Sequence, residues 1–243
     1  TVNVDAMMAK LATLGKDDIV VFHACCHNPS GAELLPENWD DIAKLAAKNG
    51  FFPYFDMAYQ GFGDSLEQDA YSIRAMAKEV ESMVVASSCS KNFGLYRDRV
   101  GCSLLLGETS DTADIARSHV LSTARSSYSM PPDHGAALVA TIMTDEALRA
   151  SWEEELEEMR DRMLGLRQKM SDVLREKSGS DHWDFIARHR GMFSLLVLDD
   201  EQVDRLRNEF GVYAVAGGRI NIAGLKDEDE LNRFADALVA VTQ

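Results

Sequence analysis

The feature that most constrains this sequence is a repeated change of hydrophobic period within its first ninety or so residues. Residues 19–25 form an apolar run of buried-strand length and lead into His27-Asn28-Pro29-Ser30-Gly31, where Pro and Gly mark a turn. Residues 37–48 then place Trp39, Ile42, Ala43, Leu45 and Ala46 at helical spacing, and Asn49-Gly50 supplies a C-terminal stop. Residues 51–55 return to a strand pattern that ends at Asp56, residues 71–80 read as another helix, and residues 82–88 as a third buried strand followed by Lys91. Strand, loop and helix in repetition predict an α/β fold with a doubly wound, mainly parallel sheet.

That fold class has a chemical consequence. In open α/β sheets a ligand sits outside the carboxyl ends of the strands, so the residues that follow each strand are the ones expected to converge. Here they are Asn28, then Asp56 with Tyr59, then Ser88 with Lys91. An amide, a carboxylate, a phenol, a hydroxyl and an amine make a cluster able to do acid-base or covalent work. Neither a Gly-rich dinucleotide fingerprint nor a Walker-type phosphate loop accompanies them.

The second half changes character. Across residues 144–176, Trp152, Leu156, Met159, Met163, Leu166 and Met170 recur at three- and four-residue steps in a charge-rich background, which predicts one long amphipathic helix joining two domains. Residues 182–187, 193–197, 212–214 and 219–222 read as short strands, and residues 201–209 and 227–241 as helices. The expected organisation is a partial large α/β domain over residues 1–145, with the long helix and a small C-terminal α+β domain over residues 146–243.

Charge narrows the partners. The formal net charge is −15, with Lys and Arg scattered rather than gathered in a stripe, which excludes a nucleic-acid backbone as the expected ligand. An anionic small molecule would be held against this background only by a few local arginines. Apolar runs fall short of the roughly 18 to 20 residues of a membrane helix, and the N-terminal residues lack the blocks of a secretory signal. The expectation is a soluble, cytoplasmic protein. Cys25, Cys26, Cys89 and Cys102 form neither a CxxC pair nor an even framework, so reduced thiols are expected.

Four runs then bring a family into view: His27-Asn28-Pro29-Ser30-Gly31, Phe55-Asp56-Met57-Ala58-Tyr59-Gln60-Gly61-Phe62, Ser88-Cys89-Ser90-Lys91-Asn92-Phe93-Gly94-Leu95-Tyr96 and Arg99-Val100-Gly101. In order and spacing the sequence resembles the class I pyridoxal-phosphate-dependent aminotransferases, in their aspartate and aromatic branch. Gly191-Met192-Phe193-Ser194 and Gly218-Arg219-Ile220-Asn221-Ile222-Ala223-Gly224 extend the likeness through the second half.

The resemblance implies a fold-type I transferase that moves an amino group between an amino acid (aspartate, glutamate or aromatic) and a 2-oxo acid. Lys91 matches the lysine that holds pyridoxal 5'-phosphate as an internal aldimine and then shuttles the substrate's α proton. Asp56 matches the carboxylate that keeps the pyridine nitrogen protonated. Tyr59 and Asn28 match the residues bonded to the ring hydroxyl oxygen, and Ser88 and Arg99 the phosphate-binding pair. Arg219 matches the clamp on the substrate α-carboxylate, and Asn28 is also expected to meet substrate. Arg125 matches the arginine that reaches across a homodimer interface to the distal carboxylate; aromatic-preferring relatives keep it too, so it leaves aspartate and aromatic donors both open.

The same resemblance implies a piece of a longer protein. The family's Ser-Gly-Thr phosphate loop, its ring-stacking tryptophan and a tyrosine from the partner subunit all come from chain upstream of the matched region. A helix N-terminus gives phosphate both donors and a favourable dipole, so its loss should weaken cofactor binding. The competing expectation is therefore a catalytically inactive fragment acting only as a dimerising or binding module. A zinc site at His23, Cys25 and His27, which would share one face of an extended strand with Cys26 adjacent, lacks an apparent fourth ligand on what reads as a core strand, so no metal is expected. Ser88-x-x-Lys91 has the spacing of a serine acyl-enzyme, but the SDN-like and KTG motifs that should accompany it do not occur.

Overall fold

The computed structural model describes residues 2–243, which divide into two compact units: Val2–Cys25 with Leu34–Glu157, and Cys26–Glu33 with Glu158–Gln243. In the first unit a short helix α1 (Val4–Leu11) precedes a sheet built from β1 (Ile19–His23), β2 (Phe52–Met57), β3 (Met83–Ser88) and β4 (Gly101–Leu106), in the order β1-β2-β3-β4. The first three strands are parallel and β4 runs antiparallel to β3. Helices α2 (Pro36–Asn49) and α3 (Tyr71–Glu79) make the two crossovers.

The pattern of α2 explains both its ends and its buried face. Pro36 occupies the first turn, where its missing N–H costs nothing, Asn38 Oδ1 accepts from Leu35 N at 3.1 Å, and Gly50 closes the helix at φ 80°. Trp39, Ile42, Ala43 and Ala46 are buried. Phe22 and Phe55 are paired in register, and Trp39 meets their rings at centroid distances of 5.6 and 5.8 Å. Each such aromatic pair adds about 0.5 to 1.5 kcal/mol beyond area burial. Phe55 is also opposite Val85, so the Phe22–Phe55–Val85 row is one face of the sheet. By the period of two, His23, Asp56 and Ser88 belong to the other.

Residues 19–25 were expected to be buried throughout; instead Ile19 and Val21 are 69% and 62% exposed while Phe22 is buried. β1 is an edge strand that packs only its Phe22 face, which an apolar run cannot disclose. β4, α4 (Ser110–Tyr128) and α5 (His134–Thr144), which follow β3, have no counterpart among the elements expected from the sequence. The buried residue of α4 and α5 is Gly135 alone among the described residues, so neither helix carries a strong apolar stripe.

The long helix appears as α6 (Glu146–Ser178). The second unit continues with α7 (Phe185–Arg188), β5 (Phe193–Leu195), α8 (Asp200–Phe210), β6 (Arg219–Asn221) and α9 (Glu228–Thr242), β5 and β6 pairing antiparallel. Its core joins Met170 and Leu174 of α6 to Trp183, Ile186, Leu206, Ile222, Phe234 and Leu238. Two expected strands are corrected. Residues 182–187 form a turn into α7, because a helical turn buries both Trp183 and Ile186. Residues 212–214 lie outside any ladder: Gly217 and Gly218, at φ 77° and 74°, turn the chain so tightly that only a single bridge, Val215 to Arg219, forms.

His189, buried behind α7 with its ring 5.1 Å from Phe185, is pushed down to about pH 4, chiefly by burial and then by the charge of Arg167. An unfolded chain takes up this proton at about pH 6.5, so stability is complete above that pH and is lost as pH falls through 6.5 toward 4. Allowing for screening, the loss is roughly 2 kcal/mol. Urea denaturation at pH 7 and pH 4 should therefore show a smaller acid-induced loss for His189→Phe than for the parent chain. Equal losses in the two proteins would contradict this account.

Candidate active site

In the first unit the carboxyl ends of β2 and β3 lie side by side. Asp56 is opposite Ala86, and Ser88 follows two residues later, so the half-buried carboxylate and hydroxyl share a sheet face. Ser88 Oγ accepts from Ser90 N at 3.1 Å, the first bond of the loop that carries Lys91. Lys91 Nζ lies 4.5 Å from the centroid of the buried Tyr59 ring. The amine and the phenol, from two successive strand-end loops, therefore meet.

Contacts not apparent in the motifs hold these loops. The chain after Tyr59 turns through Gly61, at φ 94°, and Gly63. Both N–H groups donate to Asp69 Oδ2, at 2.8 and 2.9 Å, and Asp64 N donates to Asp69 Oδ1 at 2.9 Å. Asp69 is 5% exposed. A methyl group on Gly63 would come within 2.4 Å of Asp69 Oδ1, so the close approach requires glycine. On the other side, Asn92 Nδ2 donates to Gln60 O at 3.3 Å, and Trp152 Nε1 of α6 donates to Asn92 O at 2.7 Å. The Trp152 ring stacks on Phe93 at 4.4 Å and 10°. Lys91 is thus carried on a loop tied to the Tyr59 loop and to a helix. The sequence signals for these supports were Trp152 in the helical stripe and the glycine pair before Asp69.

Arg99 lies where β4 begins to pair with β3: Cys89 N donates to Val100 O at 3.1 Å, and Ser88 is opposite Gly101. It is exposed, at φ 52°, and its Nη1 donates to Tyr96 O at 2.8 Å. Burial, and secondarily the thiol of Cys102, push the Cys89 thiol up, which keeps it protonated and a poor nucleophile beside Lys91. Arg125 is exposed in the last turn of α4, its Nη1 donating to Ser129 Oγ at 3.1 Å.

The remaining candidates lie in the second unit. Arg219, at the start of β6, donates from Nη1 to Asn28 Oδ1 at 2.9 Å, and its guanidinium carbon stands 4.8 Å from the Phe193 ring centroid. A flat cation backed by an aromatic face and tethered on one side keeps donors for a carboxylate on the other. The two units therefore hold two sets: Asp56, Tyr59, Ser88, Lys91 and Arg99 in one, and Asn28 with Arg219 in the other. Among the described residues no helix is long and apolar enough to cross a membrane.

The donor set of the first unit suits a phosphorylated pyridine aldehyde: an amine for the aldehyde carbon, a carboxylate for a ring N–H, a phenol for a ring oxygen, and a hydroxyl with an arginine for phosphate. Residues 1–238 match the family described as Aminotransferase class I and II. The aromatic-amino-acid aminotransferase of Paracoccus denitrificans is 48% identical over 226 residues, 93% of this chain and 57% of that protein. The aspartate aminotransferase of Escherichia coli (strain K12) is 47% identical over 241 residues, covering 99% and 61%. A solved aromatic amino acid aminotransferase with 3-indolebutyric acid superposes with a TM-score of 0.96 at 46% identity, over 99% of this chain and 61% of that one. The aromatic-amino-acid aminotransferase of Burkholderia pseudomallei, covalently bound to pyridoxal phosphate, gives 0.94 at 41% identity, over 99% and 60%. The chain thus spans about 60% of the length of the relatives it matches, as the 61% coverage of the Escherichia coli protein illustrates. On sequence and fold together, this chain belongs to the class I and II aminotransferase family.

Proposed function

We propose that this chain is the lysine-bearing part of a pyridoxal-phosphate-dependent aminotransferase that exchanges an amino group between an amino acid, aspartate, glutamate or aromatic, and a 2-oxo acid. The observation that carries the reading is the approach of Lys91 Nζ to the Tyr59 ring at 4.5 Å, beside strand ends that present Asp56 and Ser88 on one sheet face. When bound, pyridoxal phosphate supplies an aldehyde carbon and an electron-accepting ring. Asp56 would hold the proton on the ring nitrogen through a charge-assisted hydrogen bond, and the Tyr59 phenol would bond the ring oxygen, as would Asn28. Ser88 and Arg99 would bind the phosphate, where a planar guanidinium can meet two oxygens at once. Lys91 Nζ would hold the cofactor and, once displaced by the substrate amine, would take the proton from the substrate's α carbon and deliver it to the cofactor's aldehyde-derived carbon.

Arg219, supported by Asn28 and Phe193, would hold the substrate α-carboxylate. Arg125 is exposed in a helix end, which supports a role toward the distal carboxylate in a second copy and hence a homodimer. We also propose a domain boundary between residues 145 and 146, with the helix that begins there joining the two domains. A second reading, a dimerising or binding module that holds no cofactor, is favoured by the exposure of Ile115, Val120, Leu121 and Tyr128 along α4.

The two readings part on a covalent label. After incubation with pyridoxal phosphate and reduction with borohydride, peptide mapping should find the adduct concentrated on Lys91. Labelling in proportion to lysine exposure, with Lys91 unremarkable, would favour the module.

A further inference from the structure

The largest fully buried side chain among the described residues is a charged one, Arg167 of α6, with 0% exposure. Its Nε donates to Gly191 O at 3.2 Å, Nη1 to Ile186 O at 3.2 Å and Ser194 Oγ at 2.8 Å, and Nη2 to the carbonyls of Arg190, Gly191 and Phe193 at 3.1, 2.7 and 2.6 Å. None of these acceptors is a carboxylate. Burying a guanidinium is costly, and a core position of α6 could be filled by an apolar side chain of similar volume without that cost. The arrangement makes sense if fixing the acceptors is what matters.

Those acceptors lead to Arg219. Phe193 O takes the shortest of the bonds, and the Phe193 ring is the surface over which the Arg219 guanidinium lies. The Arg167 guanidinium lies close to Gly31 in the loop of Asn28, the other support of Arg219. A methyl group at Gly31, φ 73°, would fall 2.3 Å from Phe193 O and 3.2 Å from Arg167 Nη2, while Arg190 N donates to Gly31 O at 2.9 Å. We propose that Arg167 is a positioning residue for Arg219: it locks the backbone beneath Phe193 and beside the Asn28 loop, and so sets the angle at which Arg219 meets a carboxylate. This rests on the reading of Arg219 as the carboxylate clamp. Burial holds the Arg167 guanidinium down to about 10, so it stays protonated and keeps its donors at neutral pH. Lysine has three donors at one point and cannot span these acceptors.

The test uses the whole chain, isotope-labelled for NMR, with succinate as the carboxylate probe. The Arg219 Nε–H signal should be displaced by the Phe193 ring current, and Phe193→Leu gives its undisplaced position. In Arg167→Lys the signal should move most of the way to that position and succinate should bind roughly tenfold more weakly, as for loss of one aligned charge-assisted contact. Ser194→Ala removes one acceptor and little volume; it should move the signal part of the way, and it decides the matter if Arg167→Lys does not fold. A signal unmoved in the folded variants, with succinate affinity at the parent value, would make Arg167 merely structural. Arg219→Ala separates the underlying reading: undiminished succinate binding there would refute the clamp, while the ring-current result would still decide whether Arg167 orients Arg219.

Discussion

Lys91→Ala should abolish measurable amino-group transfer while leaving the fold in place. The setting is a hybrid in which this chain follows the upstream remainder of its Escherichia coli relative, which spans the part of the family this sequence does not. Loss of the lysine removes both the attachment point and the proton shuttle, so kcat should fall about a thousandfold or more. Stability should hardly move. The side chain is half-buried on a loop, and its contact with the Tyr59 ring contributes about 0.5 to 1 kcal/mol. Lys91→Arg is the informative control, since it keeps a cation near Tyr59 but cannot release a proton at neutral pH. Activity in that variant would show that Lys91 serves only as a charge.

Asp69→Ala should produce the largest stability effect at the site. Three N–H groups, from Gly61, Gly63 and Asp64, would lose their acceptor at a position that is nearly closed to water. At about 1 to 3 kcal/mol for each stranded buried group, less what solvent recovers, the expected cost is roughly 3 to 5 kcal/mol. Asp69→Asn keeps one acceptor oxygen and should cost about half as much. Denaturant titration of the three proteins checks the ranking. Because Phe62 N donates to Tyr59 O at 3.0 Å, loosening this loop also frees Tyr59, so pyridoxal phosphate trapping at Lys91 should decline in the same order. An Asp69→Ala chain as stable as the parent would show that the loop is held by something else.

Those two residues differ in how visible they are before any fold is known. Lys91 follows a strand in a motif dense with small and polar residues, and the rule that ligands gather at the carboxyl ends of parallel strands selects it, with Asp56 and Ser88. Asp69 follows no strand and precedes α3, a place where acidic residues are ordinary caps; only the glycines at 61 and 63 hint that backbone must approach a side chain. Arg167 was harder still, because an arginine in a charge-rich helix is read as solvated. Its spacing is the signal: Met163, Arg167, Met170 and Leu174 recur at helical steps, and all four are buried.

Fold-level legibility followed the strength of the local pattern. The α2 stripe and Gly50 stop located that helix to within a residue or so, since cap and packing agree. The antiparallel β4 is not legible in the sequence because its consecutive leucines, with Leu104 and Leu106 exposed, give no clean alternation. Residues 182–187 form a helical turn and not the expected strand because Trp183 and Ile186 are three apart, a spacing that serves a helical turn. The hydrogen bond between Asn28 and Arg219, far apart in sequence, has no signal in any periodicity; resemblance names both residues as substrate-binding but does not pair them.

The most direct measurement of the central claim is amino-group transfer from aspartate to 2-oxoglutarate by the hybrid carrying this chain unaltered, followed by the appearance of oxaloacetate and glutamate in the presence of pyridoxal phosphate. The account predicts turnover that saturates with both substrates and depends on added cofactor. A folded hybrid that forms neither product from aspartate, and none from phenylalanine or tyrosine in its place, would contradict it.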